Sequence, residues 1–486
     1  MPASFLPSGA ELFRFLPEII LSGAGTLIMV VEAASANRRL TGRICLGGLL
    51  AAMWGAVAAY SNPGPAFNGM LVIDGFGTFF RILVIAVGLL AYFTSTSYLE
   101  RERAEPSEFY ALLLFSIVGQ CLMATADELM VIFIGLEISS IASYVLAGYL
   151  RDDPRNNESA LKYFLLGSFA SAFFLYGIAW IYGLTGSIHL TEIRRIIMTR
   201  EIAPNMALVG TAAALMFVGF AFKISAAPFQ LWAPDVYQGA PAPVAGFLST
   251  GPKAAAFAMF VRVYMSAFEP IAGTWAPLVW SVALLSMIVG NFAALMQTNI
   301  KRLLAYSSIA HAGYVLVAVT AHSDIGVAAA MFYMASYAFM QIGAFAVVAH
   351  VARKGEKYVN VDDLAGLAQR QPVTAALLAV FLFSLIGVPL TGGFFAKFYV
   401  FKAALDAHLV WLTVLGLLNS AVAAYYYLRI LVVVYMREPG DATENLPPLA
   451  PGVRATVWIS AIGTLALGIA PSFVLAFAGD ASSLLK

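Results

Sequence analysis

The sequence predicts an all-α polytopic membrane protein of about fourteen transmembrane helices. Three observations carry that prediction. Charged residues make up only 11% of the 486 positions, hydrophobic residues make up 61%, and the apolar residues gather into runs about as long as a bilayer is thick. So few charges cannot cover a soluble globule of this size, and so apolar a chain does not have the composition of a disordered one. A formal net charge of +1 supplies no basic field for nucleic acid.

Taken in order, the apolar runs are 12–33, 42–60, 76–98, 109–126, 129–150, 161–184, 206–238, 243–268, 274–296, 302–321, 325–351, 374–403, 408–436 and 455–478. The first begins among Glu11, Arg14 and Glu18 rather than after the basic start of a cleavable signal, so it reads as a retained span. The seventh and twelfth are too long for one straight helix and contain proline or glycine, which predicts discontinuous helices. Between the sixth and seventh, His189 to Arg200 has the pattern of a short amphipathic helix lying on the outer surface. Cys45 and Cys121 are isolated in apolar runs, so no disulfide framework, iron–sulfur cluster or Cys-based zinc site can be built from them.

Loop charge sets the orientation. With the N-terminus outside, sixteen Lys and Arg residues fall in the inner loops, from Arg38 to Arg454, against six outside (Arg14, Arg194, Arg195, Arg200, Lys402 and Lys486). Both termini are therefore expected on the periplasmic face of a bacterial cytoplasmic membrane. Six basic residues remain inside spans: Arg81, Lys223, Lys253, Arg262, Lys397 and Arg429.

An internal repeat is legible. Ser-Ser-Ile-Ala at 139–142 recurs at 307–310, Tyr-Val-Leu at 144–146 recurs at 314–316, and Tyr163-Phe164 faces Phe332-Tyr333. The two broken spans follow in the same order, carrying Lys223 and Lys397 at the somewhat larger offset of 174. Each unit holds five spans, and an odd number inverts the second copy in the membrane. The expected organisation is a three-helix segment at 1–103, a five-helix repeat at 104–270, its inverted copy at 271–438 and a C-terminal helix at 439–486. Inverted repeats with broken helices at matching positions are a transporter pattern, with ion sites near the midplane.

An ammonium at the bilayer centre costs about 2.5–3.5 kcal/mol on insertion scales, so an intramembrane charge is a functional site by default. Lys223 and Lys397 lie close to loosened backbone, Lys253 follows Gly251-Pro252 on the next span, and Glu137 stands in the middle of an apolar run with no compensating charge nearby in sequence. These four read as a proton path. His311, in the helix of the second Ser-Ser-Ile-Ala copy, reads equally as a proton relay or as a satisfied core histidine. Arg81, Arg262 and Arg429, nearer span ends, are expected to snorkel. Glu18 and Glu32 are expected at the interface, and Asp235 is left open between a helix cap and a lysine partner. Gly23-Ala24-Gly25 lacks the rest of a dinucleotide site, and no phosphate loop or metal-spaced His cluster is present in the sequence.

These residues resemble a family. Glu137, Lys223 ahead of Pro228-Phe229-Gln230-Leu231-Trp232-Ala233-Pro234-Asp235, Lys253 and Lys397 are similar to the antiporter-like subunits of respiratory complex I. The string from Phe222 to Pro241, with Ser307 to Tyr314, resembles the subunit N branch of NADH-quinone oxidoreductase in particular. Lys397 argues against subunit M, which carries a glutamate there, and the chain lacks the long lateral helix of subunit L. The resemblance implies a proton-translocating membrane subunit. Glu137 would modulate the charge of Lys223, Lys253 would connect two half-channels, Lys397 would exchange protons with one side, and His311 would line the axis between them. It also implies that this chain binds no cofactor. NADH, FMN, iron–sulfur clusters and quinone would belong to partner subunits, and antiporter-like subunit M and the small subunits J and K would be its neighbours in the bilayer. A subunit of a multisubunit cation/proton antiporter shares the fold and the lysines and is the alternative; a structural scaffold with buried ion pairs is a third reading.

Overall fold

The computed structural model describes residues 7–35, 38–199 and 205–482. Thirteen of its helices are long and apolar enough to cross a membrane: Leu16–Ser35, Arg38–Ala59, Gly75–Glu102, Pro106–Thr125, Leu129–Ala147, Pro154–Thr185, Met206–Ile224, Ala242–Met265, Glu269–Leu295, Ile300–Thr320, Asp324–Val351, Val410–Met436 and Pro451–Ile469. The remaining span is broken into Pro372–Ile386 and Gly392–Asp406, each half too short to cross alone. Counting it as the twelfth gives fourteen spans, numbered below in chain order. The seventh is also broken, Met206–Ile224 being followed by the short Trp232–Gly239.

Two additions to the expected plan appear at the ends of the spans. A hairpin of two short strands, Gly64–Ala66 and Leu71–Ile73, links the second and third spans. A further helix, Ser472–Ser482, follows the last span. The expected amphipathic helix is present at Leu190–Met198, with its apolar side turned to the protein. Leu190, Ile193, Ile196 and Ile197 are all buried against the protein, and Arg194 reaches Glu269 at 3.3 Å. Arg200 and Lys486, counted with the outer charges, lie outside the described residues.

Side-chain contacts sort the loops into two ends. At one end Arg155 donates to the Gly355 carbonyl, Glu102 accepts from the Gly355 N–H, and Arg38 pairs with Glu105. At the other, Arg14 bonds the carbonyls of Asn62 and Pro65, and Phe477 of the last helix packs on Tyr60 and Phe79. The first and last described helices therefore share an end, as an even number of spans requires.

The centre is made by the eighth, tenth and eleventh spans, which are almost wholly buried, while the first and sixth present most of their surface outward. Close packing at two places uses small residues in the manner of membrane helices. A Cβ on Gly119 of the fourth span would strike the Gly135 carbonyl and Ser139 amide of the fifth. Likewise a Cβ on Gly290 of the ninth would strike the Tyr306 carbonyl and Ala310 amide of the tenth.

Several charges lie where sequence reasoning did not put them. Arg81 and Glu18 neither snorkel nor sit at an interface: they form a 2.8 Å ion pair with both side chains fully enclosed. Arg262 makes a two-pronged bond to Asp74 at 2.9 Å and donates to the Ala124 carbonyl. For Arg81 the carboxylate comes from the first span, and for Arg262 from the N-cap of the third, so each guanidinium finds a partner inside the protein. Arg429 bonds the carbonyls of Leu295 and Gln297, closing the C-terminal end of the ninth span. Lys301, counted as a loop residue, is buried and pairs with Glu356 at 2.5 Å. Asp235 takes lysine and arginine partners rather than acting as a cap, meeting Lys162 at 2.7 Å and Arg302 at 2.5 Å, not the lysine of its own broken span.

Removing one member of an enclosed ion pair strands the other, at a cost of about 3–5 kcal/mol. Arg81→Met alone is therefore expected to lower the thermal midpoint of the solubilised protein sharply, and adding Glu18→Leu should restore most of the loss. A second expectation concerns Asp127, in the turn before the fifth span, whose carboxyl is pushed up to about 6 by burial, with Asp74 adding to the rise and Arg262 and His189 opposing it. The folded state thus holds this proton more tightly than the unfolded state, so the stability contributed declines as pH rises from about 4 through about 6. Asp127→Asn should flatten that decline, giving a higher thermal midpoint than the native chain near neutral pH and a matching one in acid.

Candidate functional site

Both breaks leave backbone groups that hydrocarbon cannot satisfy, and each is closed by a specific side chain. In the seventh span the chain leaves the helix at Ser225, which adopts a left-handed conformation. The freed Phe222 carbonyl accepts from the Trp232 indole at 2.9 Å, and the Ala227 N–H donates to Ser286 of the ninth span at 2.8 Å. In the twelfth, Gly387 turns the chain at a φ of +97°, and the Gly393 N–H donates to Ser384. The freed carbonyls of Leu385 and Ile386 accept from Lys397 at 3.1 and 2.8 Å.

This explains why the lysines sit at a larger offset than the rest of the repeat. Lys223 lies before its break and Lys397 after its own, on opposite sides. The Lys397 ammonium ends at the C-terminal turn of the half-helix before its break, where free carbonyls and the negative end of the helix dipole favour a cation. The Lys223 ammonium is held instead by side-chain hydroxyls.

Lys223 is buried and donates to Ser140 at 2.7 Å and to the Tyr163 hydroxyl at 3.3 Å, with the rings of Tyr144 and Tyr163 beside it. Tyr163 is fixed by stacking on Trp232 at 4.3 Å, so the residue that closes the break also positions a lysine ligand. Glu137 lies one turn before Ser140 and accepts from Ser171 of the sixth span at 2.5 Å. A void of about 10 Å³, with room for about one water, is lined by Ser140, Ser171 and Lys223. Glu137 and Lys223 are not a closed ion pair: each bonds a different hydroxyl, Ser171 for Glu137 and Ser140 for Lys223. Glu137 is half-buried, between the outward-facing Ile134 and Ile141.

Lys253 is enclosed at the centre and donates to both the carbonyl and the hydroxyl of Ser308. The repeated Ser-Ser pair therefore receives a lysine in each copy, Ser140 taking Lys223 and Ser308 taking Lys253. The hydroxyls of Tyr237 and Tyr337 both face Ser308, and that of Tyr237 also faces Ser225, without reaching hydrogen-bond geometry. These groups lie between the Lys223 and Lys253 sites.

Beyond Ser308 the polar contacts form two adjoining groups. Ser307 bonds Tyr427, Tyr427 meets His311 Nε2 at 3.2 Å, and His311 Nδ1 meets Tyr333 at 2.7 Å. Tyr426 donates to Asn291 at 3.1 Å, and the Asn291 amide donates to the Tyr314 hydroxyl at 3.2 Å. The Tyr314 ring lies 5.0 Å from the Lys397 ammonium, which also bonds Ser420 at 2.8 Å. Beyond Lys397 a groove of about 500 Å³ runs along the twelfth and thirteenth spans to Lys402 and Asp406, a 3.1 Å ion pair at the span end.

All five predicted residues thus belong to one arrangement. Glu137 and Lys223 lie at one side, Lys253 and His311 in the middle and Lys397 at the other. The hydroxyl partners Ser140, Ser171, Tyr163, Ser308, Tyr333, Tyr427 and Ser420 were not picked out as ligands from sequence. The signal available for some of them was the repeat itself, which contains Ser140, Tyr163, Ser308 and Tyr333. Among the described residues no group of three or more His, Cys, Asp or Glu side chains is placed to hold a metal.

Comparison with known proteins gives the same assignment. The family described as NADH:quinone oxidoreductase/Mrp antiporter, TM, matches residues 126–423. NADH-quinone oxidoreductase subunit N 1 of Solibacter usitatus is 63% identical, with the whole of both chains covered. A chain of respiratory complex I from Thermus thermophilus superposes with a TM-score of 0.81 at 35% identity, covering 95% of this chain and 99% of that one. A chain of the Mrp complex from Dietzia shares the fold with a TM-score of 0.83 but only 20% identity, covering 98% and 97%. With a relative this similar over its full length, and with broken helices and buried lysines in the arrangement just described, the chain belongs to the subunit N family of NADH-quinone oxidoreductase, among the antiporter-like membrane subunits of respiratory complex I.

Proposed function

We propose that Glu137, Lys223, Lys253, His311 and Lys397 carry protons across this subunit when partner subunits oxidise NADH and reduce quinone. The observation that supports this most directly is the continuity of polar groups through the buried centre. Three lysines are each held by hydroxyl or carbonyl oxygens, and serine, tyrosine, histidine and asparagine side chains stand between them. Such groups pass a proton by accepting on one atom and donating from another. His311 has a hydroxyl on each ring nitrogen, which suits a relay. Glu137 and Lys223 each bond a serine that lines the same water-sized void, so a shift in either charge is felt by the other with little screening.

Moving one charge against 100 mV takes about 2.3 kcal/mol, which the redox reaction elsewhere in the assembly must supply. FMN, the iron–sulfur clusters and the quinone site are assigned to partner subunits, with antiporter-like subunit M and small subunits J and K as membrane neighbours. Both termini are placed on the periplasmic face, from the bias of loop charges. Residues 104–270 and 271–438 are read as inverted copies. The matched glycine contacts of the fourth with the fifth span and of the ninth with the tenth support that reading.

Replacing Lys223 or Glu137 with Ala in the assembled complex should depress NADH-driven proton transport several-fold while the complex still forms and oxidises NADH. Unchanged transport would instead favour a scaffold. Tyr427→Phe removes the hydroxyl shared by Ser307 and His311 and is expected to slow transport with little change in thermal stability, measured by acidification in vesicles. Purification tests the antiporter alternative: co-isolation with flavin- and iron–sulfur-containing partners is expected, and a free protein with sodium-dependent proton flux would sink the reading.

A further inference from the structure

We infer that Glu356 is a positioning residue for Lys253: its carboxylate clamps the starts of the eighth and tenth spans together, and that clamp sets Lys253 against Ser308. The inference rests on the reading of Lys253 as part of a proton path.

Glu356 stands on the connection between the eleventh span and the broken twelfth, yet it is buried. One carboxylate oxygen accepts from the Ala242 N–H at 2.6 Å and from the Tyr98 hydroxyl of the third span at 2.9 Å. The other accepts from Lys301 at 2.5 Å, and the same ammonium donates to the Ala240 carbonyl at 2.5 Å. Ala242 is the first residue of the eighth span, where a helix has N–H groups without partners of its own, and Lys301 is the second residue of the tenth. Ala240 follows the short helix Trp232–Gly239 of the broken seventh span. One side chain on a connection thus ties together the third, seventh, eighth and tenth spans.

The backbone that delivers this carboxylate is strained. Arg353, Gly355 and Glu356 have φ of +55°, +69° and +47°, a region that only the glycine favours. Such strain persists where surrounding contacts over-determine it. Here Gly355 is fixed from both sides, its N–H donating to Glu102 at 3.0 Å and its carbonyl accepting from Arg155 at 3.0 Å.

Helix geometry shows what the clamp controls. The eighth and tenth spans both begin at it and run in the same direction. Lys253 lies about three turns beyond Ala242, and Ser308 about two turns beyond Lys301. The two spans share little direct packing: the eighth rests mainly on the third, fourth and eleventh, and the tenth mainly on the ninth. Their relative height is therefore set at the shared end. Lys253 bonds both the carbonyl and the hydroxyl of Ser308, and a contact made to two atoms at once tolerates little sliding, since such bonds weaken beyond about 3.2 Å.

The test uses the assembled complex in vesicles, with protons moved per NADH oxidised as the readout, and two double variants that strand no buried charge. Glu356→Gln with Lys301→Met keeps an oxygen for the Ala242 N–H and the Tyr98 hydroxyl. Glu356→Met with Lys301→Met keeps the volume and loses that oxygen. Both lose the ion pair and the bond to Ala240, so a difference between them belongs to the clamp. The first is expected to retain most of the native ratio and the second to fall several-fold. Hydrogen exchange of the amides at 242–248 should quicken in the second alone. Equal ratios in the two variants, or failure of either to assemble, overturns the proposal. Lys253→Met is the reference: a native ratio there would overturn the proton-path reading itself, whereas a lost ratio there with equal double variants would overturn only the role of Glu356.

Discussion

A lysine ammonium held away from water needs oxygen atoms in fixed positions, and much of this protein's architecture follows from supplying them three times over. Hydrocarbon offers none, and an unbroken helix offers none either, because its carbonyls are already bonded along the axis. The broken twelfth span answers that need by ending a helix where its last carbonyls face a cation, and Lys397 takes the Leu385 and Ile386 carbonyls directly. Lys223, in the last turn before the break of the seventh span, takes the hydroxyls of Ser140 and Tyr163 instead. Lys253, on an unbroken span, borrows the carbonyl and hydroxyl of Ser308 from its neighbour.

Opening a helix in this way exposes other backbone groups, and the same side chains that repair the break organise the site. Trp232 closes the Phe222 carbonyl and stacks on Tyr163, so the repair of the backbone and the placement of a lysine ligand are one packing event. Ser384 does comparable work at the second break by accepting from Gly393. The ammonium groups are thereby held by oxygens that the fold fixes in place, while the hydroxyls of Tyr237 and Tyr337 are buried without a hydrogen-bond partner among the described residues.

The remaining buried charges serve the frame. Glu18 with Arg81, Asp74 with Arg262 and Glu356 with Lys301 join segments distant in sequence, and each is a closed ion pair. The path residues differ in this respect: Glu137, Lys223, Lys253 and Lys397 are held by neutral oxygens and form no closed ion pair among the described residues. A charge locked to its opposite is a poor carrier, because releasing a proton would strand its partner. A charge solvated by hydroxyls loses less on neutralisation. That contrast, more than burial itself, separates path from frame.

Sequence alone determined the count of spans, the two breaks and the positions of the charges set within apolar runs, because each of these is a local property. A span is a run of apolar residues, a break is proline or glycine inside one, and a costly charge is visible against its neighbours. The recurring Ser-Ser-Ile-Ala string also holds Ser140 and Ser308, which receive lysines. What only the tertiary structure decided was the partner of each charge. Arg81 and Arg262 read as snorkelling because their carboxylates are far away in the chain, Asp235 was undecided, and Lys301 read as a loop charge. The tyrosines and serines around His311 read as ordinary packing residues. The reason is geometric: helix rotation and crossing determine which atoms come within about 3 Å of each other, and they depend on the shapes of many packed side chains at once.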